Sequence, residues 1–438
     1  MYKETAKLIL YRDLGEDSIL LKLAGIFEDF DLNRASKAEL TTRIYAQMKA
    51  LLDLATQYGF DKNLWHNYLT FILLTNENSF SMTSEKVGAN DGTVNHFAKS
   101  DFAIFKKLFD FDFGPIEEAL GIDCFTTVCH YHSIQKKERM YNKNVSEKVQ
   151  AVSEQIEQAA DEEEIFRIVT DFYAAYGVGM FGLNRAFRIR HLENGVEFLP
   201  INNTDRVLLK DLIGYEIQKK KLIENTEAFI QGLPCNNVLL CGDAGTGKST
   251  SIKALLNEYY DQGLRMIEIY KHQFQDLSSI IAQVKNRNYR FIVYMDDLSF
   301  EDFEIEYKYL KAVIEGGMET KPDNVLIYAT SNRRHLIKES WSDRNDMESE
   351  NGMHRSDTMQ EKLSLVARFG VTIYYGKPSQ KEYFAIVKEL RKHYPSITVS
   401  DEELCAEANK WELSHGGISG RTAQQFINYM AGKAGGLS

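Results

Sequence analysis

The stretch Gly242-Asp243-Ala244-Gly245-Thr246-Gly247-Lys248-Ser249 is a complete G-x4-G-K-S. It follows the apolar run Val238–Cys241 and opens a segment with Ile252, Leu255 and Leu256 at helical spacing. Strand, glycine-rich turn and helix, in that order, are the context in which the pattern holds phosphate. Glycines let the backbone curl so that successive N–H groups face the phosphates, and the helix N-terminus adds the positive end of its dipole. Gly242 to Gly247 would form the cradle, with Thr250 just inside the helix. Lys248 is expected at the β- and γ-phosphates and the Ser249 hydroxyl on Mg²⁺. The alternative, a glycine-rich turn without a ligand, is disfavoured by the flanking elements.

Downstream, Phe291-Ile292-Val293-Tyr294-Met295 runs into Asp296-Asp297. A buried apolar strand ending in two carboxylates is costly unless they face a cation or a water-filled site. Asp296 is assigned to the metal and Asp297 to the attacking water, as in phosphoryl transfer to water. Val325–Thr330 then leads into Ser331-Asn332. A polar amide at the C-terminal end of a central strand belongs beside the phosphates of a doubly wound sheet. Asn332 either orients water there or caps the following helix. With Leu264–Tyr270 and Val371–Tyr375, five short apolar runs alternate with helical segments, which predicts a parallel sheet covered by helices.

Upstream, residues 1–200 have apolar residues at three- and four-residue steps, as in Ile44, Met48, Leu51 and in Ile165, Ile168, Val169, Phe172. The acidic Asp161–Glu164 suits a helix N-terminus. The pattern breaks around Arg190–Asp205, where turn residues gather. Three regions are therefore expected: a helical domain over 1–200, an α/β core over 201–378 and a helical lid over 379–438. Glu339–Glu361 is polar and reads as a mobile surface loop.

Composition bounds the function. At 438 residues the chain needs more than one core. The net charge of −11 speaks against a nucleic-acid footprint over the whole surface, though not against a local basic patch. No run approaches the roughly 18 apolar residues of a membrane span. Five cysteines do not make a disulfide framework, and with no secretory leader the expected location is the cytoplasm.

Over Leu208 to Gly432 the order of these boxes resembles the AAA+ ATPases. Leu212-Ile213-Gly214-Tyr215 resembles the segment that contacts adenine in that family, and Asn332 matches its sensor-one position. Arg368, in Ala367-Arg368-Phe369-Gly370, resembles the arginine finger that reaches a neighbouring subunit's nucleotide. Arg421, in Gly417-Ile418-Ser419-Gly420-Arg421, resembles sensor two. More narrowly, Asp296-Asp297-Leu298-Ser299-Phe300-Glu301 and Ala329-Thr330-Ser331-Asn332-Arg333-Arg334-His335-Leu336 are similar to the predicted ATPases of domain of unknown function 815. The resemblance implies ATP and Mg²⁺ as ligands, a sheet order of 5-1-4-3-2, a helical lid and assembly into a homo-oligomer. Two departures stand out. Asp297 replaces the family's glutamate, which implies slow turnover and makes Glu301 a second candidate for polarising water. Lys271-His272-Gln273-Phe274-Gln275 lacks the aromatic-apolar-glycine loop of threading unfoldases.

The function expected is that of an oligomeric ATPase acting on a protein partner through its helical domain. Two alternatives are a nucleic-acid-associated ATPase of the helicase-loader or initiator kind and a slow nucleotide-dependent binding switch. Two other features are given structural readings. Cys124, Cys129, His130 and His132 match no common zinc spacing, so buried thiols are expected. Arg185-Ala186-Phe187-Arg188-Ile189-Arg190 reads as a half-exposed basic edge rather than a nucleic-acid patch.

Overall fold

Five apolar strands and the loops at their C-terminal ends build the part of the molecule that carries the glycine-rich turn. The computed structural model describes residues 1–134, 141–193, 195–202, 204–299, 306–315, 322–332 and 367–434. Glu301, the segment 333–336 and the polar stretch 339–361 lie outside them.

The strands are β1 (Ala186–Leu192), β2 (Gly195–Pro200), β3 (Val238–Gly242), β4 (Leu264–Ile269), β5 (Arg290–Met295), β6 (Val325–Ser331) and β7 (Val371–Tyr375). They form one sheet in the order β2-β1-β4-β5-β6-β3-β7, and the pairs from β1 to β7 are parallel. Counted from β3, the last five lie 5-1-4-3-2. All residues of β3 and β6 are buried, as strands covered by helices on both faces must be.

β1 and β2 depart from expectation, because the sequence pattern places turns and a domain boundary here. Phe187 and Ile189 point inward while Arg188 and Arg190 point outward, the period-two alternation of a strand with one face in the core. The basic residues are paired: Arg188 Nε to Glu268 Oε2 at 2.7 Å and Arg190 to Glu197 at 3.2 Å. The chain divides into two compact units, residues 1–185 with 200–204 and residues 186–199 with 205–438. Pairing with β4 takes β1 and β2 into the second unit.

In the first unit, long helices such as Lys37–Tyr58, Thr93–Phe109 and Glu162–Tyr176 surround one apolar core that includes Leu20, Ile44, Trp65, Phe80, Phe102 and Val169. Their starts follow capping rules. Ser36 accepts from Glu39 N–H, and Asp161 accepts from Glu164 N–H with three glutamates in the first turn. Asp101 is fully buried and its carboxylate accepts the N–H groups of Ile9, Leu10 and Tyr11, which anchors the chain start. Cys124 and Cys129 are free, with burial pushing both thiols up to about 11. Among the described residues no group of metal ligands gathers, and no helix is long and apolar enough to cross a membrane.

At the C-terminal end, helices Gln380–Arg391, Asp401–Ser414 and Gly420–Ala434 pack around Tyr383, Val387, Leu404, Ala423 and Phe426. Ser379 and Ser400 cap the first two. Ile213 packs against this cluster.

Candidate nucleotide site

β3, β6 and β5 are neighbours, so the turn after β3, Asp296-Asp297 after β5 and Asn332 after β6 emerge side by side at the C-terminal edge of the sheet. That edge is where open α/β sheets bind ligands. A cleft of about 780 Å³ opens there, with Gly245 to Thr250 on its floor.

Backbone geometry shapes the floor. Gly245 and Gly247 have φ of +75° and +91°, conformations that other residues rarely adopt. A Cβ on Gly247 would stand 2.7 Å from Leu212, and one on Gly245 would crowd Ser419 and Arg421. Gly242, Asp243 and Ala244, expected in the cradle, do not line the cleft. Gly242 lies so close to the Tyr375 backbone that no Cβ fits. The Asp243 carboxylate accepts the Lys377 N–H at 3.1 Å, tying the loop to the end of β7.

Two polar chains cross the cleft. In the first, the Ser249 hydroxyl donates to Asp296 Oδ1 at 2.7 Å and the Thr330 hydroxyl donates to the same oxygen at 2.6 Å. Burial pushes the Asp296 carboxyl up, but the hydroxyls of Thr330, Ser249 and Tyr294, with the charge of Lys253, outweigh it and leave the group below its ordinary value. In the second, Lys248 Nζ donates to Asn332 Oδ1 at 3.0 Å, and Asn332 Nδ2 donates to Asp297 Oδ1 at 2.8 Å. Lys248 is 5% exposed and also donates to the carbonyls of Gly242 and Asp243. Burial lowers its pKa. Asp297 has φ +52°, and its N–H donates to Thr330 Oγ1 at 2.9 Å. Thr330 therefore braces both acids.

The far end of the cleft is more apolar, with Ile213, Tyr215, Ile386 and Leu390 beside His393. The Tyr215 ring lies 5.0 Å from that of Tyr375, and its hydroxyl donates to Gly376 O at 2.8 Å. Gly214 has φ +80° and supplies the turn between Ile213 and Tyr215 without lining the cleft. Arg421 opens the last helix and lines the cleft, and its N–H donates to Gly245 O at 3.3 Å. Arg368 is half-buried just before the edge strand β7 and lies outside the lining.

These donors fit a nucleotide with a divalent cation. The turn has two left-handed glycines and a buried lysine, the cation side has a hydroxyl and a carboxylate, and the base side has an apolar wall. Sequence pattern did not single out Thr330, although its place two residues before Asn332 puts it on the same sheet edge. Ile386, Leu390, His393 and Gln424 were also missed, because nothing local marks a helical residue as facing a distant loop.

No curated protein matches the chain. Among solved structures, the FIGL-1 AAA domain in complex with ADP is 17% identical, with 52% of this chain and 74% of that chain covered and a TM-score of 0.37. A mutant of Thermotoga maritima RuvB is 18% identical over 50% of this chain and 64% of that chain, with a TM-score of 0.35. Residues 183–434 match a family model, and since that span is more than half of the chain, the protein belongs to the family described as Protein of unknown function (DUF815).

Proposed function

We propose that this protein is an AAA+ ATPase that binds ATP with Mg²⁺ between the glycine-rich turn and the C-terminal helices and hydrolyses it. The observation that carries this is the convergence of Ser249–Asp296–Thr330 and Lys248–Asn332–Asp297 in one cleft that apolar side chains also line. Ser249 and Asp296 would hold Mg²⁺, which draws charge from the phosphate oxygens when bound. The N–H groups of Gly245 to Ser249 and the Lys248 ammonium would bind the phosphates. Ile213, Tyr215, Ile386 and Leu390 would take the base. Asp297 would accept the proton of the attacking water while Asn332 orients it. The new P–O bond forms as the bond to the β-phosphate oxygen breaks, releasing ADP and phosphate. Arg421 would contact the γ-phosphate from the lid, and Arg368 would act on a neighbouring subunit's nucleotide in a homo-oligomer. The helical unit over 1–185 would engage a protein partner and move with the cycle.

A slow-turnover switch is the second reading, supported by the Asp297 side chain being one methylene shorter than a glutamate's and already hydrogen-bonded to Asn332. The nucleic-acid reading is weakened by the ion pairs of Arg188 and Arg190. Purified protein incubated with ATP and Mg²⁺ decides between them: phosphate release supports hydrolysis, retained ATP without release supports the switch, and no ATP binding sinks both.

A further inference from the structure

The proposed chemistry leaves one buried polar group of the site without a task. Tyr294, the fifth residue of β5, is 1% exposed. A phenol hydroxyl in the interior normally finds a partner. The hydroxyl of Tyr294 is buried and meets no neighbour in good hydrogen-bonding geometry, although Asp296 and Ser249 lie close enough to act on it. A phenylalanine would fill the same space without that cost, so the packing of the strand does not account for the oxygen.

Three groups face this hydroxyl: the Asp296 carboxylate, the Ser249 hydroxyl and, across the register that pairs Glu268 with Tyr294, the Glu268 carboxylate. Glu268 is already engaged. Its Oε2 accepts from Arg188 at 2.7 Å, with the Tyr270 hydroxyl 3.5 Å away. Asp296 turns Oδ1 to Ser249 and Thr330, which leaves its second oxygen for other work.

We propose that Tyr294 is a positioning residue for the metal end of the cleft, its hydroxyl a reserve donor that steadies the Asp296 carboxylate once a divalent cation is drawn to Ser249 and Asp296. The inference rests on the nucleotide reading above. Tyr294 lies outside the lining of the cleft, so it would not touch the nucleotide. A donor that is poorly met in the free protein and well met in the loaded one makes Tyr294→Phe separate the two states. A structural hydroxyl would instead be needed in both.

The experiment compares wild type with Tyr294→Phe in two readouts, melting temperature without ligand and binding of a fluorescent ATP analogue titrated with Mg²⁺ or held in EDTA. The expected result is an unchanged or higher melting temperature, unchanged binding in EDTA, and a Mg²⁺ requirement raised by roughly fivefold or more. A Mg²⁺ titration that superimposes on wild type, or a variant that melts several degrees lower, overturns the assignment. A wild type that binds the analogue with no response to Mg²⁺ overturns the nucleotide reading itself, so the two failures are told apart.

Discussion

Lys248 and Asn332 are joined by a hydrogen bond of 3.0 Å although 84 positions separate them, and the same amide passes the contact on to Asp297. The residue proposed to meet phosphate and the residue proposed to activate water are therefore linked through one side chain. Changes at any of the three are expected to reach the other two.

Lys248→Ala removes a buried ammonium whose charge-assisted hydrogen bonds are each worth about 1.5–3 kcal/mol. ATP affinity is expected to fall by roughly 100-fold or more. Because Lys248 also binds the carbonyls of Gly242 and Asp243, the turn itself loosens. Calorimetric titration with ATP checks this, and equal affinity for mutant and wild type would remove the assignment.

The two acids should fail differently. Asp296→Ala is expected to lose the Mg²⁺-dependent part of ATP affinity. Asp297→Asn keeps the left-handed backbone, which asparagine tolerates, and is expected to keep binding while turnover falls about 10²–10⁴-fold. Phosphate release under single-turnover conditions reads this. Turnover that stops in Glu301→Gln and survives in Asp297→Asn would pass the role to Glu301.

Thr330→Val tests the brace between them. The substitution keeps the volume but removes the donor to Asp296 and leaves the Asp297 N–H without its acceptor. Thr330 is buried, so the loss is expected to cost about 1–3 kcal/mol of stability, together with a weaker response to Mg²⁺. Chemical denaturation with and without Mg²⁺-ATP measures both, and a variant indistinguishable from wild type in the two would show the brace to be idle.

Arg368 is expected to act in trans. An arginine placed against the transferring phosphoryl group is worth about 10³–10⁵ in rate, so Arg368→Ala should nearly abolish turnover while sparing ATP binding. Mixed with Lys248→Ala subunits, it should recover activity at interfaces where one subunit supplies the nucleotide and the other the arginine. Activity that shows no recovery at any mixing ratio would remove the trans arrangement.

The glycine-rich turn, the five strands from Val238 to Tyr375 and the acids at Asp296-Asp297 were legible in the sequence because each depends on residues adjacent along the chain. Left-handed glycines, apolar runs and a capped helix start are local properties. β1 and β2 were not legible, although Phe187, Ile189 and their arginines alternate, because a half-exposed basic run among turn residues is confirmed as strand only by the partner β4 beside it. Thr330 reached its role across 34 positions from Asp296, and Ser249 met the same carboxylate across 47. Such contacts depend on the register of neighbouring strands, which a single-chain pattern does not encode. The apolar wall is more distant still: Ile213 shares it with Ile386 and Leu390 only when three helices close around their own apolar cluster. The sequence by itself determined the backbone of the turn and which acids would stand near it. Tertiary packing decided which hydroxyls brace those acids and which helix residues wall the site, because hydrogen bonds and apolar contacts form between side chains that folding, not chain order, makes neighbours.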